Sequence, residues 1–236
     1  MRWQSPQLRE SGLSETSNIK GTMKKIMFND RYGLTKAVLE GKKTMTRRII
    51  PLCENDLKFL KIAERGEWLF SSRTCLDGAY PAYNVGDELA VAQSYSNLRE
   101  VLAKRDFKRT DELYDKFYQS MQMGETHDGI PGWGNKMFVR ADLMPHRIRI
   151  TNIKAERLQD ISEEDCLREG IQEYFPYIDR NPNDRVRTFQ YFRDGKVRHR
   201  MSPAPECFAL LIDDICGNGT WQRNPWVFAY EFELVR

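Results

Sequence analysis

Residues 41–48 read GKKTMTRR, which places two lysines, two threonines and two arginines in eight positions. A threonine hydroxyl becomes a useful nucleophile when a base removes its proton. A lysine amine serves as that base only when burial or nearby cations bring its pKa below the usual value of about 10.4. Lys42, Arg47 and Arg48 supply such cations around Lys43, and Thr46 follows at short range. Amide hydrolysis would need this pair together with a proton shuttle and donors for the oxyanion. The same residues at a helix end also describe a solvated basic face that complements the helix dipole.

Other residue types invite weaker readings. Arg147 and Arg149 lie two apart in a strand pattern, near Arg140 and His146, and could line a phosphate-contacting surface. Trp133 and Trp226 could stack on a base, although Trp226 opens an aromatic strand face and reads better as core. Cys166 reads as a buried thiol. Cys53, Cys75, Cys166, Cys207 and Cys216 form no CxxC pair, and His127, His146 and His199 are dispersed. No metal and no organic cofactor is expected from that pattern.

The elements around the opening motif are partly readable. MKKIMFN reads as a first strand with Ile26 and Phe28 on one face, and RYGLTKAVLEGKK as a short helix closed at Gly41. TMTRRII then reads as a strand, so the motif sits where a helix hands over to a strand. NVGDELAVAQ gives a turn and a strand. The strongest β pattern lies in residues 137–161, with Ile148 and Ile150 on one face and Arg147, Arg149 and Thr151 on the other. SEEDCLREGI predicts a short helix capped by Ser162 and closed by Gly170. SPAPECFALLIDDICGNG predicts a longer one, with Ser202 as cap, Pro203 first and Gly217 at the stop, before a final strand in NPWVFAYEFELVR. A further helix is expected in DELYDKFYQSM.

Residues 1–22 read as a flexible polar leader and 23–236 as a single domain, interrupted by excursions at about 51–84, 95–135 and 172–201. About six strands with a few helices and no regular βαβ alternation predict a mixed α+β fold around a small barrel or curled sheet. The formal charge of +3, from 37 cations and 34 anions, is too balanced to imply a nucleic-acid partner by itself. No apolar run approaches the roughly 20 residues that span a bilayer, and reduced cysteines fit a cytoplasmic protein.

In order along the chain, VLEGKKTMTRR, YNVGDELAV, RITNIKAERLQDISEEDCLREGI and NPWVFAYEFELV together resemble the ASCH domain, a member of the PUA-like superfamily of small β-barrels. The chain departs from that family in its three excursions, its leader and AVAQ at 90–93, where the family often carries an aromatic and an Arg-Glu pair. The resemblance implies a PUA-like barrel with peripheral helices, and RNA or a modified nucleoside as partner. In an amidohydrolase subgroup that acts on N(4)-acetylcytidine, the catalytic set falls on Lys43, Thr46 and Glu169 of this sequence. Glu169 would orient the lysine or protonate the departing amine, or alternatively activate water. Lys42, Arg47, Arg48, Arg147 and Arg149 would then contact phosphate or base. The rival expectations are a noncatalytic nucleic-acid-binding module and a mobile-element accessory protein.

Overall fold

The computed structural model describes residues 23–50, 59–62, 68–71, 81–98, 131–174, 187–201 and 203–235. The expected leader, the helix in 111–121, the cap at Ser202 and most of the first two excursions lie outside those residues. Lys25–Ile26 forms β1, Leu34–Leu39 helix α1, Met45–Ile49 β2, Phe59–Ile62 β3 and Trp68–Ser71 β4. Glu88–Val91 forms β5, Arg147–Arg157 β6, Glu163–Arg168 helix α2 and Gln172–Tyr174 β7. Thr188–Arg193 (β8), Lys196–Met201 (β9), helices Ala204–Cys216 (α3) and Thr220–Arg223 (α4), and Trp226–Val235 (β10) complete the order.

The fold is α+β. Its main sheet runs β1-β5-β6-β10-β2, while β3-β4 and β7-β8-β9 form separate smaller sheets. The β1–β5 pair is parallel and every other pair is antiparallel. Ile26, Leu89, Val91, Ile148, Ile150, Tyr230 and Phe232 are buried in one apolar core, which Phe208 and Leu211 of α3 join.

The expected closed barrel is not formed among the described residues, because no ladder joins β1 to β2. The backbone acceptors just past β1 are taken by side chains instead. Arg48 Nη2 donates to Met27 O at 2.7 Å, while Thr35 Oγ1 and Lys136 Nζ donate to Phe28 O. A carbonyl satisfied in this way gives little reason for the strand to extend.

Several local signals act as their sequence implies. Ser162 caps α2 by accepting from Asp165 N at 3.1 Å, and Gly41 follows α1 with φ of +71°. The strand count exceeds expectation because the third excursion contains the β7-β8-β9 sheet and the first contains the β3-β4 pair. The signal for it was present: Asp194-Gly195, with φ of +52° and +74°, is the two-residue turn that joins β8 to β9.

A second difference lies within β6. The pairing with β10 jumps from Glu231↔Asn152 to Phe232↔Ile150, leaving Thr151 as an extra residue. Such a bulge shifts the alternation by one. Asn152, Lys154 and Glu156 consequently join the face of Arg147 and Arg149, whereas Ile153 and Ala155 pack against the core.

Candidate active site

Lys43 closes the turn after α1, where Lys42 N and Lys43 N both donate to Ala37 O. Thr44 N then bonds to Arg168 O, which ties the start of β2 to the end of α2. That anchor brings residues 126 positions apart into contact. Lys43 Nζ donates to Glu169 Oε2 at 2.6 Å and to the Glu169 carbonyl at 2.6 Å. Both residues are almost wholly buried, at 2 % and 5 % exposure.

Gly170 permits this approach. Its φ is +108°, and a Cβ there would come within 3.0 Å of Leu34 Cδ2 and 3.7 Å of Lys43 Cδ. The chain can thus turn sharply out of α2 and leave the Glu169 carboxylate facing the lysine.

Burial lowers the Lys43 pKa below its ordinary value, with Arg48 and Arg47 adding to that push. The charge and hydrogen bond of Glu169 oppose it without reversing it. Two of the positions on Nζ are used by Glu169. The third can carry a proton or, in the neutral amine, a lone pair.

Arg47 organises the rest of the cluster. Its Nε donates to Glu156 Oε1 at 2.9 Å, and its Nη2 donates to Glu156 Oε1 at 2.6 Å and Asp165 Oδ2 at 2.9 Å. Its Nη1 donates to Glu169 Oε1 at 3.1 Å and Met45 Sδ at 3.1 Å. A guanidinium has five N–H groups, so none is left for a phosphate or base edge. The sequence expectation for Arg47 as a ligand contact is corrected accordingly. Three carboxylates within reach make burying this cation less costly than burying it alone.

Lys154 Nζ joins Asp165 Oδ2 at 2.8 Å and Glu156 Oε2 at 3.2 Å. Burial works to raise the Asp165 pKa, but hydrogen bonds from Lys154 and Arg47 outweigh it and hold the carboxyl below its ordinary value. Arg168 continues the network through Glu231 at 2.7 Å. Glu156, Lys154 and Asp165 carry no site assignment in the sequence reading.

Thr46 takes a different position. Strand alternation directs it to the face of its cross-strand partner Tyr230, opposite Arg47 and Ala229. It is 5 % exposed, and its hydroxyl has no hydrogen-bond partner among the described residues. Tyr230 meets the ring of Tyr83 edge-on at 5.4 Å, and the exposed Arg48 guanidinium stands 6.0 Å from the Phe28 ring centre. Burial pushes the Tyr83 and Tyr230 hydroxyls up, and the charge of Arg48 acts on both in the other direction. The Thr46 side of β2 therefore has aromatic walls and one cation at hand.

The other sequence-assigned residues do not converge on this point. Lys42 is exposed and paired with Glu40 at 2.6 Å. Arg149 is exposed between Glu88 at 2.7 Å and Glu233 at 3.5 Å, and Arg147 is half-buried. Trp133 packs partly buried against a small core around Tyr95 and Leu98, and Trp226 packs against the main core. Cys166 is fully buried with its thiol pushed up to about 12, consistent with an inert packed sulfur.

A cleft of about 330 Å³ opens beside the Lys43–Glu169 pair, lined by Ala37, Lys42, Leu167, Gly170, Ile171 and Gln172. Its size is within the range of small-molecule sites, and neither Lys43 nor Glu169 lines it. No set of His, Cys, Asp and Glu suited to a metal ion occurs among the described residues, and no helix among them is long and apolar enough to cross a membrane. No family model matches this chain, nor does any curated protein or solved structure.

Proposed function

We propose that this chain is an ASCH-like protein whose curled sheet corresponds to a PUA-like barrel, and that it hydrolyses the exocyclic amide of an acylated cytidine. The observation that carries the reading is the buried contact of Lys43 with Glu169 at 2.6 Å. Two residues picked out by the resemblance, and far apart in sequence, meet away from water with the lysine pKa lowered.

In this reading Lys43, whose Nζ stands 5.9 Å from the centre of the Phe28 ring that the Arg48 guanidinium also approaches, is the base for Thr46. The neutral amine takes the hydroxyl proton as Thr46 Oγ1 attacks the acyl carbonyl. The resulting ammonium returns that proton to the cytosine amine as the C–N bond breaks. Water then hydrolyses the acyl-threonine and frees the carboxylic acid. Glu169 orients Lys43, its Oε1 accepting from Arg47 and its Oε2 from Lys43. Tyr83 and Arg48 supply stacking and edge contacts for the base.

The neutral lysine is the active form, so the rate should rise with pH and level off above the Lys43 pKa. That limb should fall below the value of about 10.4 for an exposed lysine. Incubation with a panel of acylated nucleosides across pH 6 to 10, read by mass spectrometry, tests both points. Absence of product from every acylated nucleoside would refute the proposal, and a rate that falls as the pH rises across that range would refute Lys43 as the base.

A second reading, binding without turnover, draws on a separate observation: Lys43, Thr46 and Glu169 are each at most 5 % exposed. It predicts that acylcytidine binds and is recovered unchanged.

A further inference from the structure

We infer that Glu156 is a positioning residue for Lys43: together with Lys154 and Asp165 it holds the Arg47 guanidinium against Glu169, and so fixes the charge that the lysine meets. The catalytic consequence rests on the function proposed above; the coupling between Glu156 and Lys43 does not.

The contacts form a closed ring with a tail. Arg47 Nη2 donates to Glu156 Oε1 and Asp165 Oδ2, while Lys154 Nζ reaches Asp165 Oδ2 at 2.8 Å and Glu156 Oε2 at 3.2 Å. Two cations thus alternate with two carboxylates. The tail leaves from Arg47 Nη1, which donates to Glu169 Oε1 at 3.1 Å, and the other oxygen of that carboxylate accepts from Lys43 Nζ at 2.6 Å. Burial works to lower the Arg47 pKa, but the charges of Glu169 and Glu156 outweigh it and keep the guanidinium charged. The ring owes its existence to the bulge at Thr151, which turns Lys154 and Glu156 to the Arg47 face of the sheet.

A buried ion cluster is by itself weak evidence for anything beyond local structure. Two features tie this one to Lys43. A single carboxylate, Glu169, joins the ring to the lysine, one oxygen to each. The path between them is also dry: the side chains of Arg47, Glu169 and Lys43 are 1 %, 6 % and 2 % exposed. Charges along it therefore act with little screening.

The sign of the coupling follows. Burial is the largest influence lowering the Lys43 pKa. Of the charged groups that face it, Glu169 from α2 favours the ammonium, and Arg48 and Arg47 from β2 oppose it. Behind these stand Glu156 and Lys154 of β6, with Asp165 and Arg168 of α2. Removing the negative charge of Glu156 leaves Arg47 less compensated and disfavours the Lys43 ammonium further. Removing the positive charge of Lys154 does the reverse.

The test is an NMR titration of the Lys43 Cε methylene from pH 6 to 11 in wild type, Glu156→Gln and Lys154→Gln. Glutamine at 156 keeps the length and an oxygen for Arg47, and Lys154 is partly exposed, so both variants should fold. Lys43 should titrate about half a unit lower in Glu156→Gln, since a charge one group removed acts more weakly than an adjacent one. In Lys154→Gln it should titrate higher, by a smaller amount. The rising limb of the acetylcytidine pH–rate profile should move with the titration in each variant. Loosened packing would shift both variants the same way, so opposite signs separate positioning from a structural role. If the titrations shift as stated while wild type cleaves no acetylcytidine, or while the limb stays in place, the inference stands and the catalytic reading fails. Coincident Lys43 titrations in all three proteins, shifts of one sign in both variants, or no titration of Lys43 in wild type within that range would overturn the inference.

Discussion

Arg47→Met is expected to lower the unfolding free energy by roughly 3–5 kcal/mol, the range seen when one partner of a buried ion pair is removed. The substitution leaves Glu156, Asp165 and Glu169 facing one another with Lys154 and Lys43 as their remaining cations. For a chain of this size the midpoint of thermal unfolding should fall on the order of ten degrees. Arg47→Lys should recover only part of the loss, because one ammonium cannot span three carboxylates as a planar fork does. An Arg47→Met protein that melts within a degree or two of wild type would contradict this account of the cluster.

The second large effect concerns the Lys43–Glu169 pair. Lys43→Met leaves the Glu169 carboxylate with Arg47 alone and should cost about 3 kcal/mol or more. Glu169→Gln removes the charge that favours the ammonium, so the buried Lys43 amine sheds its proton and the cost is smaller. The double variant should cost less than the sum, because neither group is then buried as an uncompensated charge. Urea unfolding of the four proteins gives the coupling directly, and strict additivity would mean that the two residues do not stabilise each other. If the proposed function holds, hydrolysis should be lost in all three variants under conditions where each is folded, which separates a role in catalysis from the role in folding.

The elements around this pair were legible where one local signal settled the matter. Ser162 and Gly170 define α2, and Gly41 and Gly217 end their helices, because capping depends on a few adjacent residues. The meeting of Lys43 with Glu169 was reached only through the family resemblance, since nothing local links residues 126 apart. Lys154 and Glu156 were missed for a geometric reason. Counting alternation straight through β6 puts them with Ile148 and Ile150, and the extra residue Thr151 reverses that assignment. Arg47 was misread because a cation beside a threonine looks like a ligand contact until its acceptors, from β6 and α2, are known. The β8–β9 hairpin was passed over despite its Asp-Gly turn, since its polar and arginine-rich strands lack a clear apolar alternation.

The most direct measurement compares Thr46→Val with wild type in turnover of N(4)-acetylcytidine, alongside thermal unfolding of both proteins. Valine keeps the branched shape and removes only the hydroxyl, which has no hydrogen-bond partner among the described residues. Stability should therefore change little. If Thr46 is the nucleophile, the rate should drop by roughly three orders of magnitude or more, as it does when a catalytic nucleophile is removed. A Thr46→Val protein that releases acetate at the wild-type rate would contradict the central claim.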